Sequence, residues 1–586
     1  MSPSADASSR AWAWNSVSTG STRSPTSRSS TSRRSDASVS TPEVRALWQD
    51  LQATPFTWHV PDTLNIARAC VDDQRPADVA LIVDHGGTHT RYSFGELASL
   101  SRRFAGLLHD CGTRVGDRVG VMVPQGVEVA TAHLGTFRLG AVTVPLSVKF
   151  GPEAVAYRLS HSGARVLVID TDNYVRVRQA LADVASLQTV FVVGPRPDNR
   201  CVQPQQLRSF DEVYPATEFA HTADTGPDSP AIIIYTSGTT GQPKGALHGH
   251  RILPAHMPGM RTAFMNAPQP GDVFWTPADW AWIGGLFDVL FTALALGCPV
   301  VATPGKFSAA GTLEVMRRHR VTAAFVPPTA LKQLRSAGIT PADTRGLAVR
   351  ILATGGESLG TALRDWIEST FTTSINEFYG QTEINMIVGT TVDRARPQPD
   401  SMGRTFPGFD VELLDANGRP VAPGEPGEIC VRAGNPGQFL QYWRQPDKTA
   451  EKVHDGWIHT GDLARRDDAG NFTYQGRADD IISTAGYRVG PGEIEECLLS
   501  HPAVAMAAAV GVPDELRGEA IHAFVVLTAD QQPDDALTAD LQQHVKSRLA
   551  FYQYPRAITF RAELPLTTTG KILRRELRAG LLRKEP

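Results

Sequence analysis

Two periodicities alternate along the chain from about Pro42. Stretches whose apolar residues return every three or four positions, such as SFGELASLSRRFAGLLHDCG (93–112), give way to short unbroken apolar runs, such as DRVGVMV (117–123) and ARVLVID (164–170). The first pattern lays an apolar stripe along a helix; the second suits a strand buried on both faces. AIIIY (231–235), TAAFVP (322–327) and VRILATGG (349–356) continue the series. The alternation predicts an α/β fold in which sheets are covered by helices.

The texture changes twice. From Gly403 to Arg432, short alternating runs are separated by the turn signals ANG and PGEPGE, which predicts a small β-barrel-like layer. After Gly476 the chain reads as a loop and helix (GYRVGPGEIEECLLSHPAV), two strands (AMAAAVGV, AIHAFVVLT) and an amphipathic helix (ADLQQHVKSRLA). That is a small α+β unit of about 110 residues, a plausible domain size. The expected division is a tail at 1–41, a large domain at 42–475, a junction at 476–480 (GRADD) and a small domain at 481–586. The tail, with its run SVSTGSTRSPTSRSSTSRRSDASVS, is too poor in apolar residues to fold alone. Its composition fits a disordered tail, an over-extended gene start or an organelle transit peptide.

Composition narrows the function classes. At 586 residues the chain exceeds what one core organises, and 41% apolar with 20% charged residues is ordinary for a globular protein. A formal charge of −4 gives no basic footprint, which argues against nucleic acid as a partner. The 6 cysteines are scattered without CxxC pairs, which fits a reducing, cytoplasmic setting better than disulfides or a zinc site; an organelle matrix is the alternative if the tail is a transit peptide. No apolar run is long enough to predict stable membrane insertion.

The densest chemistry lies in YTSGTTGQPKG (235–245), directly after a predicted buried strand. Its glycines let backbone N–H groups approach an anion, Thr236, Ser237, Thr239 and Thr240 offer hydroxyls, and Lys244 offers charge. The familiar phosphate loop needs Lys and then Ser or Thr directly after its second glycine; here Gly241 is followed by Gln242. Other segments are weaker alone. NEFYGQTE places Thr382 beside Glu383, a carboxylate that could hold Mg²⁺ or simply be solvated. WIHTGDLA places Asp462 after a glycine, GRADDIISTAGYR carries Arg477 and Arg488 around Asp479 and Asp480, and LPLTTTGKILRREL carries Lys571 in a basic tail.

Taken in order, YTSGTTGQPKG, YGQTE, HTGDL, GRADD, GYRVGPGEIE and TTTGKILRREL resemble the motifs of the adenylate-forming superfamily, over about Pro55 to Arg578. The closest likeness is to medium-chain acyl-CoA synthetases and their acetyl-CoA synthetase relatives, carried by ADWAWIGG, SMGRTFPGFDV and GRADDIISTAGYRVGPGEIE. The resemblance implies a ligase that joins a carboxylic acid to coenzyme A through an acyl-adenylate, with ATP as co-substrate and Mg²⁺ as cofactor. It implies that Thr236, Ser237, Gly238, Thr239, Thr240, Gly241 and Lys244 hold the β- and γ-phosphates. Gly356, Glu357 and Ser358 would line the adenine site, with Tyr379 on the base and Glu377 and Gln381 beside it. Thr382 would contact the α-phosphate, Glu383 would hold Mg²⁺, and Asp462, Arg477 and Arg488 would complete the nucleotide site. Lys571 would bridge the attacking carboxylate and the α-phosphate. The small domain would be mobile about a hinge at Asp479, with Gly486 facing the CoA tunnel.

Trp282, Ile283, Gly284 and Gly380 match acyl-pocket positions. Acetate-specific members carry a tryptophan where Gly380 stands, so the resemblance implies an acid larger than acetate. Ser483 and Thr569 depart mildly from the motifs. The rival reading is an adenylation enzyme for amino or aryl acids. For amino acids it expects a downstream carrier domain and a pocket carboxylate, for which Asp279 is the nearby candidate. A luciferase-like oxygenase and a nucleotide-binding fold-mate are further alternatives. A homodimer is compatible with all of these.

Overall fold

The computed structural model describes residues 56–195, 205–236, 242–391, 400–484, 487–514, 516–529, 531–550, 552–567 and 571–582, without the Arg488 side chain. The tail, Ser237, Gly238, Thr239, Thr240, Gly241 and Gly486 lie outside the described residues.

The predicted α/β alternation is present, in two large mixed sheets and one small one. The 8-stranded sheet has a parallel centre that includes Arg118–Met122, Val142–Pro145, Ala164–Asp170 and Pro230–Thr236. Ile232 and Ile233 in it are wholly buried, as an unbroken apolar run requires. The 14-stranded sheet runs through the parallel strands Ala323–Phe325, Ile351–Gly355 and Ile375–Gln381. Helices cover these strands. Phe94–Asp110 starts at Ser93, whose hydroxyl accepts from the Glu96 N–H while the Glu96 carboxylate accepts from the Ser93 N–H.

The expected small β layer is present, as an open sheet. Val411–Leu414, Gly427–Arg432, Trp457–Arg466 and Phe472–Arg477 pair antiparallel and join the 14-stranded sheet through Ser401–Thr405. They extend an open sheet and close no barrel among the described residues. Turn spacing in the sequence marks hairpins, but not whether the outer strands meet.

The large sheet ends at Arg477 and the small, 5-stranded sheet begins at Ile482. The two predicted strands there are Val504–Asp514 and Gly518–Leu527, and the predicted helices are Pro491–Leu499 and Asp535–Arg548. The stretch read as a loop contains a short strand, Tyr487–Val489, paired with Ile482–Thr484. Ile494, Leu498, Ile521, Val525, Leu541 and Val545 form this unit's own core. The unit meets the large sheet through close backbone contact: a Cβ on Gly490 would lie 1.9 Å from the Gln475 carbonyl oxygen. No described helix is long and apolar enough to cross a membrane. The five described cysteines, Cys70, Cys111, Cys298, Cys430 and Cys497, are free thiols.

Candidate active site

Three strand ends converge. Pro230–Thr236 and Lys244–Gly249 form a hairpin in which Thr236 pairs with Lys244, so both stand at the mouth of the glycine-rich loop. Ile351–Gly355 leads into Gly356, Glu357 and Ser358; Gly356 has a φ of +91°, which favours glycine. Ile375–Gln381 leads into the turn Thr382–Glu383–Ile384 and back along Asn385–Gly389. Ligands of open α/β sheets bind at such carboxyl ends.

Side chains from the 8-stranded sheet and its flanking segment fasten the turn. The His248 ring Nε2 lies 2.8 Å from the Thr382 carbonyl oxygen, so the neutral imidazole donates to it. Burial pushes the His248 imidazolium down to about 4, which keeps that ring neutral near pH 7. Phe439 N–H donates to the Glu383 carbonyl at 2.9 Å. The Tyr442 hydroxyl donates to Glu383 Oε1 at 2.6 Å, and Lys244 Nζ sits 4.7 Å above the Tyr442 ring.

Glu383 is buried at 7% exposure. Burial alone would raise its pKa, but the Lys452 charge, the Tyr442 hydroxyl, its own backbone N–H and Lys244 together hold it below the usual carboxylate range. A buried carboxylate kept ionised fits a single protein ligand to Mg²⁺, which takes its other ligands from phosphate and water.

Asp462 is the second buried carboxylate. The Tyr379 hydroxyl donates to its Oδ2 at 2.6 Å, Gln381 Nε2 at 2.5 Å, and the Tyr474 hydroxyl to Oδ1 at 3.1 Å. Arg477 lies 3.5 Å from Oδ1 and also 3.2 Å from Asp479. Tyr379 is therefore oriented by Asp462 before any base is present. Ribose hydroxyls would have to take over bonds that tyrosine and glutamine make here. Glu428 shapes the preceding turn: its Oε1 accepts from Gly461 N–H at 2.8 Å, where Gly461 has a φ of +76°.

Lys452 lies near enough to both carboxylates for its charge to act on them. Its ammonium donates to Gln381 Oε1 at 2.8 Å and to the Thr460 carbonyl at 3.2 Å, and the charges of Glu383 and Asp462 both act on it. Neither Lys452 nor the tyrosines Tyr442 and Tyr474 belong to the motifs read from the sequence. PDKTAEKVHDGW reads as a polar helix end, and only the hairpin that follows folds Lys452 back over Gln381.

Two predicted nucleotide contacts have other partners. Glu357 accepts from the Thr329 hydroxyl at 3.0 Å, with Lys332 at 3.7 Å. Glu377 points into the protein, where its carboxylate accepts from Leu359 N–H at 2.9 Å and from Arg364 at 3.1 Å. It thus ties down the loop after Ser358 from behind.

Burial pushes the Glu377 carboxyl up to about 7 against the pull of the Leu359 N–H and Arg364. The folded protein then keeps a proton that the unfolded chain releases near pH 4.5, so stability falls as pH rises from about 4.5 through 7. Glu377→Gln removes that slope. It should gain on the order of 2 kcal/mol relative to the native chain between about pH 5 and about pH 8. Thermal melts across this range test it; a pH-independent difference would remove Glu377 as the titrating group.

At the expected acyl pocket, Trp282 is half-buried and meets Phe150 edge-on at 5.7 Å. Ile283 and Gly284 follow on the same short helical segment, Ile283–Gly285. Gly380 has a role the motif did not reveal: a Cβ there would lie 1.8 Å from the Asn385 carbonyl oxygen. The hairpin backbone demands glycine, so the lack of an indole does not by itself set the pocket's length. Gly380→Ala should cost about 2–3 kcal/mol, and an unchanged melting temperature would show that the hairpin has room. Asp279, the candidate amine partner, is already committed to the Ser147 hydroxyl at 2.7 Å and Ala281 N–H at 3.0 Å.

Lys571 stands apart. It is exposed, its backbone N–H donates to the Thr567 hydroxyl at 3.0 Å, and its ammonium has no hydrogen bond or ion pair among the described residues. The face the small unit turns toward the site carries Glu496, whose carboxylate accepts from Thr361 N–H at 3.1 Å. Behind it, Arg574 binds Glu495 at 2.7 Å and lies 3.5 Å from Asp480.

Known proteins resemble this chain in sequence and in fold. The AMP-binding enzyme profile matches residues 68–443, and that of the AMP-binding enzyme C-terminal domain matches residues 493–571. The mitochondrial acyl-coenzyme A synthetase ACSM4 of Homo sapiens is 33% identical over 536 residues, covering 89% of this chain and 91% of that protein. The acyl–CoA ligase YtcI of Bacillus subtilis is 32% identical over 496 residues, covering 84% and 91%. Among solved structures, an acyl-CoA synthetase of Brucella canis matches with a TM-score of 0.68 and 32% identity, covering 93% of this chain and 97% of that one. The anthranilate CoA ligase AuaEII in complex with anthranoyl-AMP matches with a TM-score of 0.81 and 25% identity, covering 89% and 98%. On its sequence, its fold and the match of both domains, the chain belongs to the AMP-binding enzyme family.

Proposed function

We propose that the protein is an AMP-forming acid–CoA ligase for a carboxylic acid larger than acetate, a medium-chain fatty acid or a related acid. The observation that carries the reading is the pair of buried carboxylates, Glu383 and Asp462, gathered at the end of the strand that bears Tyr379, with the Lys452 ammonium on Gln381 beside them. One carboxylate suits a metal and the other suits ribose hydroxyls, so a metal-bound nucleotide fits where neither an anion nor a cation alone would.

In the first half-reaction the acid's carboxylate oxygen attacks the α-phosphorus of ATP and pyrophosphate leaves. Lys244 and the loop beside it grip the departing phosphates, Thr382 faces the α-phosphate, and Asp462 with Arg477 fixes the ribose. Glu383 would hold Mg²⁺, which would supply charge neutralisation on the phosphates. Lys571 belongs to this step because two anions must meet, and a positioned ammonium offsets their repulsion. In the second half-reaction the coenzyme A thiolate attacks the acyl carbon and AMP leaves. The exposure of Lys571 fits a small domain that turns about Asp479 between the two steps.

The test is CoA-dependent AMP formation across an acid panel from acetate through decanoate, with benzoate. Activity that rises with chain length beyond acetate is expected. Activity on amino acids without CoA, or nucleotide binding with no AMP formed, would overturn the reading. No described helix could span a membrane, and the ACSM relatives are named mitochondrial; we place this protein in the cytoplasm or an organelle matrix.

A further inference from the structure

A hydrogen bond crosses from the small unit to the segment that leads out of the expected adenine loop. Glu496 lies half-buried on the helix Pro491–Leu499, and its Oε1 accepts from Thr361 N–H at 3.1 Å. Thr361 opens the helix Thr361–Phe371, and the first N–H groups of a helix have no partner within it. Gly360, just before, has no side chain to cap them. A Cβ on Gly360 would lie 2.7 Å from Glu496 Oε1, so the glycine leaves the space that the carboxylate fills. An acidic group there also meets the positive end of the helix dipole. The cap that a helix commonly takes from its own preceding residue comes here from the small unit.

The same segment is held from its other side. Leu359 N–H donates to Glu377 Oε1 at 2.9 Å, inside the large domain. Glu377 stays in place when the small unit turns, whereas Glu496 moves with the helix that carries it. The tie to Glu496 is also a weak one. The Thr361 hydroxyl donates to Asp400 Oδ1 at 3.0 Å, and the Asp400 carboxylate stands within hydrogen-bond reach of Glu496. Burial first, and then the Asp400 charge, push the Glu496 carboxyl above its usual range. A hydrogen bond set against a like charge is easily released. By contrast, the pair of Arg574 and Glu495 at 2.7 Å lies wholly within the small unit, and turning that unit leaves it untouched.

We propose that this arrangement, with Lys571 exposed, is the one that forms the thioester, and that Glu496 is the positioning residue that holds it. By capping Thr361–Phe371, Glu496 fastens the small unit and the segment after Ser358 together. This rests on the acid–CoA ligase reading above and deepens it. For adenylation the cap breaks, Thr361 N–H passes to water and Lys571 comes in. Each half-reaction runs in proportion to the share of molecules in its own arrangement. The ratio of the two rates therefore follows the balance between the arrangements, whichever dominates.

The experiment uses the full chain, the acid of the panel above that gives most AMP, and that acid's adenylate. Pyrophosphate release from acid and ATP, and acyl-CoA formation from the supplied adenylate, are measured on the same preparation. Glu496→Ala should lower the ratio of thioester formation to pyrophosphate release by about fivefold or more, the scale of one net hydrogen bond. Glu496→Gln keeps a carbonyl oxygen for Thr361 N–H, and its ratio should stay within about twofold of native. Asp400→Asn removes the opposing charge at a φ of +61° that asparagine tolerates, and it should raise the ratio. A ratio unchanged or raised in Glu496→Ala, including through equal loss of both rates, would overturn the inference and leave the ligase reading intact. So would a Glu496→Gln variant with a ratio as low as that of Glu496→Ala. A native chain that forms no AMP from any acid of the panel would overturn both.

Discussion

Lys571→Ala is expected to stop acyl-adenylate formation while leaving thioester formation from supplied acyl-AMP largely intact. The first half-reaction brings a carboxylate against a phosphate, and a preorganised ammonium between them is worth roughly 10²–10³-fold in rate. The second has already lost the pyrophosphate and needs no such bridge. In this structure the Lys571 ammonium has no partner among the described residues, so its removal takes away no visible packing. A folding defect is therefore a poor explanation for any loss. Pyrophosphate release and acyl-CoA formation from acyl-AMP, measured on the same preparation, separate the two steps. Equal loss of both would sink the assignment. Gly486→Leu, at the position expected to face the CoA tunnel, should show the opposite split: pyrophosphate released, thioester absent.

Lys452→Met should damage both stability and adenylation. The methionine keeps much of the side chain's length and removes its charge. Glu383 and Asp462 then lose the cation that acts on both of them, and Gln381 loses the donor that fixes its carbonyl. Depriving two buried carboxylates of a nearby cation costs on the order of 2 kcal/mol, since each keeps its other hydrogen-bond donors. With Gln381 free to turn, the Asp462 carboxylate loses its alignment, and adenylation should fall by about 100-fold. Lys452→Arg distinguishes the causes: it restores charge without the compact ammonium geometry, so stability should recover more than activity. Native-like pyrophosphate release by Lys452→Met would show that Lys452 is only a surface cation of its hairpin.

How much of this was legible beforehand depends on the distance over which each feature is encoded. The helices and strands of the α/β layers rest on local periodicity, and ARVLVID became the strand Ala164–Asp170 without a change of boundary. The glycine-rich loop, the YGQTE turn and the HTGDL strand are contiguous motifs whose chemistry can be named from their residues. The β layer read at 403–432 is present, but whether it closes depends on Trp457–Arg466 and Phe472–Arg477, which lie beyond that stretch, and not on the turns between neighbours.

The sequence by itself determined the fold class, the family and the chemical types gathered at the site, because each is written in short segments with a fixed physical meaning. The tertiary structure alone decided which groups act together. It set the Lys452 ammonium on Gln381, turned Glu377 inward onto Arg364 and made Gly380 a backbone necessity. The reason is physical: a charge or a hydrogen bond takes its value from its neighbours and its burial. Those neighbours come from strands and helices that only folding brings within a few ångströms.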